Sequence, residues 1–146
     1  MTSERHEIGI GLVAHDRMKQ DLADWLRQRA DALLAWRVYA TGTTASVLKA
    51  CGTAVRIEAL RSGPLGGDQQ LGSLIAEGHL KALIFFADPM TPMPHDVDIR
   101  ALLRLSTLYD IPLAVNRATA DLLISNPDFA AYCAKPARGP GTMPAT

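Results

Sequence analysis

The chain has 146 residues, which is enough for one domain with its own core, and 48% of them are hydrophobic. Its 15 Lys and Arg residues balance 15 Asp and Glu residues, so the formal net charge is zero. Because no basic excess is available for a phosphate backbone, the composition argues against nucleic acid as the main partner. A small anionic ligand needs only a local cluster of hydrogen-bond donors, so the composition does not exclude one.

The predicted elements alternate between short apolar runs and amphipathic stretches. In chain order they are strand 8–14, helix 16–30, strand 37–40, helix 43–50, strand 55–60, helix 68–77, strand 82–86, helix 97–109, strand 113–115 and helix 119–125. This alternation predicts a single-domain α/β fold, a Rossmann-like three-layer sandwich around a five-stranded parallel sheet. We assign residues 1–7 to an N-terminal extension, 8–129 to the domain and 130–146 to a Pro/Gly/Ala-rich tail.

The termini and the cysteines indicate a reduced, cytoplasmic setting. Cys51 and Cys133 lack the spacing of a metal site and form no disulfide framework. The charged N-terminus has no apolar signal core, and the longest apolar runs are far too short to span a bilayer. We therefore expect a cytoplasmic protein without a membrane partner.

Most reactive residues fall at the carboxyl ends of the predicted strands, where open parallel sheets bind ligands. In chain order they are His15, Asp16 and Lys19, then Thr41, Gly42, Thr43 and Thr44, then Ser62, Gly63, Gly66, Gly67 and Asp68, then Asp88 with His95 and Asp98, and last Asn116. One edge of the sheet therefore collects hydroxyls, carboxylates, two histidines and a lysine.

The segment 41–44 has the features of a phosphate-binding turn. Gly42 lets the backbone approach an anion closely, and the following helix presents unpaired N–H groups and the positive end of its dipole. Lys19 could reach the same anion as a point charge. The alternative is an ordinary turn with a helix N-cap.

The segment 62–70 is rich in glycine where a strand-to-helix turn needs few, which indicates backbone packed against a ligand. Asp68 would then project into the cleft from a helix start, although an N-cap role is the alternative. His95 and Asp98 follow three prolines that could fix the geometry of their loop. Two His-Asp pairs, at 15–16 and 95–96, could suggest a metal, but no helical histidine pair or cysteine ligand supports one. We therefore expect no metal.

Six segments together resemble the motifs of bacterial methylglyoxal synthases. They are LVAHD at 12–16, YATGTT at 39–44, SGPLGGDQQ at 62–70, FFADP at 85–89, PHDVD at 94–98 and NRATAD at 116–121. Their order and spacing agree with the family as well, and the match covers residues 8–129. Several blocks in context are far more specific than any single motif.

The resemblance implies conversion of dihydroxyacetone phosphate to methylglyoxal and inorganic phosphate, without cofactor or metal. It also implies a homohexamer and control by phosphate. By resemblance Asp68 is the base, His95 polarises the substrate carbonyl, and His15 and Asp98 support the enediolate and the proton transfers, with Asp16 and Asp88 nearby. The implied ligands of the phosphate end are Lys19, Thr41, Gly42, Thr43, Thr44, Ser62 and Gly63.

Three other functions compete with this interpretation. The first is a non-catalytic, phosphate-ligand-sensing module of the same fold, which needs the phosphate site but not the base. The others are a cyclohydrolase domain of purine synthesis and a metal-dependent phosphohydrolase. The segment 130–146 departs from the family. Family members usually continue into a further strand and a helix, which can bring an arginine to the phosphate site of a neighbouring subunit. Arg138 cannot be matched to that arginine.

Overall fold

The centre of the molecule is a parallel sheet. The computed structural model describes residues 8–62, 65–90 and 98–136. Within these residues the strands are β1 (Gly9–Ala14), β2 (Arg37–Thr41), β3 (Ile57–Leu60), β4 (Leu80–Phe86) and β5 (Leu113–Ala114). All pair in parallel, in the order β3-β2-β1-β4-β5, which confirms the predicted five-stranded α/β fold. The predicted extension 1–7 and the end of the predicted tail, 137–146, lie outside the described residues.

Six helices cover the two faces of the sheet in the described part of the chain. They are α1 (Lys19–Leu33), which follows a short 3-10 turn, α2 (Gly42–Ala50), α3 (Gly67–Ala76), α4 (Ile99–Leu108), α5 (Arg117–Ser125) and α6 (Phe129–Cys133). None of these helices is long and apolar enough to cross a membrane.

The core consists of two apolar layers, one on each face of the sheet. In the first layer Leu12 of β1 packs with Trp25 of α1 and with residues from α2, α5 and α6. In the second layer Val13 packs with Leu71 of α3 and Leu102 of α4. Strand β1 is buried along its whole length because helices cover both of its faces, which explains its lack of polar residues.

Helix α6 was not predicted from the sequence, which assigned most of its residues to the tail. It packs because Phe129 stacks on Trp36, with ring centroids 5.4 Å apart, and because Cys133 is buried. Burial raises the pKa of the Cys133 thiol to about 11, so the thiol stays protonated at neutral pH and packs as a small apolar group.

Asp121→Ala is expected to destabilise the fold by about 1–3 kcal/mol, because it leaves a buried donor without its acceptor. Trp25 is fully buried, and its indole N–H donates to Asp121 Oδ1 at 2.9 Å. Arg29 donates to the same oxygen at 3.0 Å. Urea denaturation would measure the loss, with Asp24→Ala as the matched control, because Asp24 forms an exposed ion pair with Arg27. Equal losses in the two variants would contradict the role assigned to Asp121.

The order of the strands locates the ligand-binding edge. From β1 the chain moves outward to β2 and β3, and then returns to the other side of β1 to form β4 and β5. The carboxyl ends of β1 and β4 therefore flank the switch point of the sheet, where open α/β folds bind ligands.

Candidate active site

His15 lies at the switch point and is held there by the end of β4. Its backbone N–H donates to the Phe86 carbonyl at 3.1 Å, and the Asp88 backbone N–H donates to His15 Nδ1 at 2.8 Å. The histidine is only 4% exposed, and its ring meets the Phe85 ring edge-on. Because Nδ1 accepts a hydrogen bond, the neutral ring carries its proton on Nε2 and can donate from that atom.

Asp88 positions His15 through its backbone N–H. The Asp88 side chain is buried, and its Oδ1 accepts from the Met90 backbone N–H at 3.0 Å. This bond closes a short turn after β4 and fixes the amide that holds His15. A supporting role for Asp88 stays a prediction, and the hydrogen bond from its backbone N–H to His15 is the contact on which it would depend.

Helix α2 starts at the end of β2 without an intervening loop, one residue earlier than predicted. Thr41 is the last residue of β2 and Gly42 is the first of α2. Within the described residues no side chain caps this helix. The N–H groups of Thr43 and Thr44 precede the first intrahelical hydrogen bond, so the start of α2 presents donors and a positive dipole end at the edge of the sheet.

Lys19 brings a positive charge to the start of α2. Its ammonium group donates to Asp16 Oδ1 at 2.9 Å and to the Thr43 hydroxyl. Lys19 is 9% exposed, so the Asp16 carboxylate balances a charge that is largely removed from water. The structure therefore brings together three of the predicted site residues. Asp16 and Lys19 follow β1, and Thr43 follows β2.

The backbone of Arg61 and Ser62 separates the start of α2 from the start of α3. The Gly42 N–H donates to the Arg61 carbonyl at 3.3 Å, and the Gly67 N–H donates to the Ser62 carbonyl at 2.9 Å. A Cβ atom on Gly42 would lie 2.7 Å from Ser62 Cα, and one on Gly67 would lie 1.9 Å from the Arg61 carbonyl oxygen. Both glycines are therefore required by close backbone packing.

Asp68 lies in the first turn of α3, directly after Gly67. Gly66, with a φ of +101°, occupies the N-cap position, so Asp68 is not the N-cap that the sequence left as an alternative. The carboxylate is half-buried, and its Oδ1 accepts from the Gln69 backbone N–H at 2.9 Å. The Arg61–Ser62 backbone contacts the starts of both α2 and α3, so a carboxylate in the first turn of α3 is suited to act on a substrate whose anionic end binds at α2.

Asp98 is the N-cap of α4. Its Oδ1 accepts from the Arg100 backbone N–H at 2.9 Å and from the Arg100 side chain at 3.4 Å, and these contacts keep the exposed carboxylate within its own helix. The backbone hydrogen bond from Arg100 lowers the pKa of Asp98 from its usual value of 3.8. Its contribution to stability is therefore present above the usual pKa and is lost as the pH falls through the lowered value.

The remaining candidates fall into three groups. His95 and Gly63 lie outside the described residues. Asn116 caps α5 by accepting from the Thr119 N–H at 2.9 Å. Gln70 belongs to the motif at 62–70, but the sequence predicted no role for it. In the structure its side chain accepts a hydrogen bond from the Arg61 backbone N–H. The sequence signal that could have identified Gln70 was its position at the start of the predicted helix, two residues after Asp68.

Comparisons with known proteins show the family to which the chain belongs. A family model for an MGS-like domain matches residues 21–115. A protein of Oleidesulfovibrio alaskensis named methylglyoxal synthase is 58% identical over 118 residues, which cover 81% of this chain and 80% of that protein. The chain belongs to the methylglyoxal synthase family. A second family member, from Rhizobium rhizogenes, is 55% identical over 79% of this chain and 91% of its own length.

A solved structure of the family has the same fold. The crystal structure of methylglyoxal synthase from Elizabethkingia anophelis NUHP1 is similar to this chain with a TM-score of 0.81 and 42% sequence identity, over 86% of this chain and 83% of that one. The family and its structural member confirm the predicted resemblance and the prediction of a lyase, and they support the methylglyoxal synthase function over the non-catalytic sensing module.

Proposed function

We propose that this protein converts dihydroxyacetone phosphate to methylglyoxal and inorganic phosphate, as a carbon–oxygen lyase acting on a phosphate in the cytoplasm. One observation carries the proposal. Lys19 and Thr43 meet at the uncapped start of α2, and the Arg61–Ser62 backbone separates this cationic site from the helix that bears Asp68. An anion site and a carboxylate therefore share one edge of the sheet.

The phosphate end of the substrate binds at the start of α2. The Lys19 ammonium supplies charge, and the amides and hydroxyls of the first turn supply hydrogen bonds. Within the predicted set, Thr41, Gly42, Thr43, Thr44, Ser62 and Gly63 complete this end with Lys19. Asp16 orients Lys19 through its ion pair.

Asp68 removes a proton from the hydroxymethyl carbon, and the electron pair moves to the carbonyl oxygen to form an enediolate. That oxygen needs a donor as the charge develops. His15 Nε2 and the predicted His95 supply it. The hydrogen bond from the Arg100 backbone lowers the pKa of Asp98 and so favours its ionised form, and the proposed role of Asp98 is to support the proton transfers.

The enediolate then expels the phosphate. The carbon–oxygen bond breaks and its electrons leave with the phosphate. The remaining enol then gains a proton at its methylene carbon and loses its hydroxyl proton, which gives methylglyoxal. Expulsion requires the breaking carbon–oxygen bond to point out of the enediolate plane, so that it overlaps with the π system. A rigid phosphate site that holds this bond out of the enediolate plane selects elimination over isomerisation, because orientation decides which bond reacts.

The reaction as written needs no cofactor and no metal, in keeping with the sequence-based expectation. The proposed assembly is a homohexamer, by resemblance to the family. Inorganic phosphate is both a product and a regulator in this proposal, since it shares the anion site at α2 with the substrate.

The direct test incubates the purified protein with dihydroxyacetone phosphate in the presence of a chelator and traps methylglyoxal as it forms. Steady release of methylglyoxal is the expected result. Binding of the phosphate ligand without any methylglyoxal would overturn the proposal in favour of the sensing module. Activity that disappears with chelator would instead favour the metal-dependent phosphohydrolase.

A further inference from the structure

Gln70 makes a contact that no described step of the reaction uses. Its side chain extends from the first turn of α3 to the end of β3, where Gln70 Oε1 accepts from the Arg61 backbone N–H at 2.7 Å. Arg61 directly follows the last residue of β3. The amide of Gln70 therefore ties α3 to the segment that separates α3 from α2.

The segment that Gln70 holds is in contact with both helix starts. On the α2 side, the Arg61 carbonyl accepts from Gly42, and Ser62 leaves no room for a side chain on that glycine. On the α3 side, the Ser62 carbonyl accepts from Gly67 at 2.9 Å and from Leu65 at 3.0 Å. A shift of Arg61 and Ser62 therefore changes the distance between the two helix starts.

We propose that Gln70 is a positioning residue, which sets the distance between the phosphate bound at α2 and the carboxylate of Asp68. This inference rests on the function proposed above. Gln70 acts through the backbone of Arg61 and Ser62 rather than through the substrate. Because the bond lies at an exposed position, water can replace Gln70 as the acceptor when it is lost, and the folded state then keeps its stability.

The test compares three variants in the full chain. Gln70→Met keeps the length of the side chain and removes the acceptor, Gln70→Glu keeps an acceptor oxygen, and Gln69→Met makes the same change at the exposed neighbour. For Gln70→Met we expect kcat to fall by about 10-fold or more, since small displacements of reacting groups cost large factors in rate. Inhibition by inorganic phosphate should change less than kcat, because Ser62 is one of several proposed phosphate ligands, and Lys19 and the side chains of the first turn of α2 are unchanged.

The control variants and the melting temperature complete the test. Gln70→Glu and Gln69→Met should keep kcat close to that of the wild type, and all three variants should melt near the wild-type temperature. A Gln70→Met enzyme with wild-type kcat would overturn the positioning role. So would a loss of kcat that Gln69→Met or Gln70→Glu shares, or one that accompanies an equal loss of phosphate binding. Failure of the wild type to release methylglyoxal would instead overturn the proposed function itself.

Discussion

Asp68→Asn is expected to lower kcat by about 10²- to 10⁴-fold, the usual contribution of a general base. The fold should be preserved, because an asparagine oxygen can still accept the hydrogen bond from the Gln69 N–H that Asp68 accepts at 2.9 Å. Binding of inorganic phosphate should be unchanged, since Asp68 is not among the proposed phosphate ligands. Steady-state kinetics and phosphate inhibition measure the two quantities separately.

Asp31→Asn is the matched control for the base. Asp31 lies exposed on α1, and its replacement makes the same change in charge away from the ligand-binding edge. It should leave both kcat and phosphate inhibition at wild-type values. If Asp68→Asn retained wild-type kcat, another group would have to remove the proton and the proposed mechanism would be wrong.

Gly42→Ala is expected to lower kcat/KM by about 100-fold, the scale associated with a displacement of about 1 Å in a catalytic group. The added Cβ would lie 2.7 Å from both Ser62 Cα and Ser62 Cβ and 2.8 Å from the Ser62 nitrogen. Backbone cannot move aside as the end of a flexible side chain can. Ser62 must therefore shift, and the phosphate site and the start of α3 shift with it.

Gly72→Ala is the control for Gly42→Ala. It also adds one methyl group to a crowded helical glycine, but the new Cβ would meet Leu105 Cδ1 at 2.8 Å, which is the end of a flexible side chain. Both variants should lose some stability, by about 1–3 kcal/mol at most for overpacking of this kind. Only Gly42→Ala should lose phosphate binding. Equal kinetics in the two variants would show that the contact between Gly42 and Ser62 has no part in binding.

The fold was predictable because it follows from local patterns, and the edge at which we propose the site follows from the fold. Apolar runs such as 82–86 mark buried parallel strands, and alternation with helical stretches places the carboxyl ends of these strands at one edge. Helix α6 was not predictable in this way. It contains five residues, and its packing depends on the stacking of Phe129 on Trp36, far away in the sequence.

The geometry of the site depends on contacts between distant segments, and local patterns do not encode these contacts. Lys19 and Thr43 are 24 residues apart, and His15 is 73 residues from the Asp88 amide that orients it. The sequence indicated that these residues share an edge. It did not indicate that Lys19 is bound to Asp16, that Asp88 acts through its backbone, or that Gln70 holds Arg61.

The central claim is that this edge of the sheet removes a proton and then expels phosphate. Phosphorus NMR of the wild-type protein with dihydroxyacetone phosphate, recorded with chelator present and with methylglyoxal measured in parallel, tests it most directly. We predict that inorganic phosphate replaces the substrate signal, with one methylglyoxal formed for each phosphate released. Conversion of the substrate to its aldehyde isomer, or phosphate release without methylglyoxal, would contradict the account.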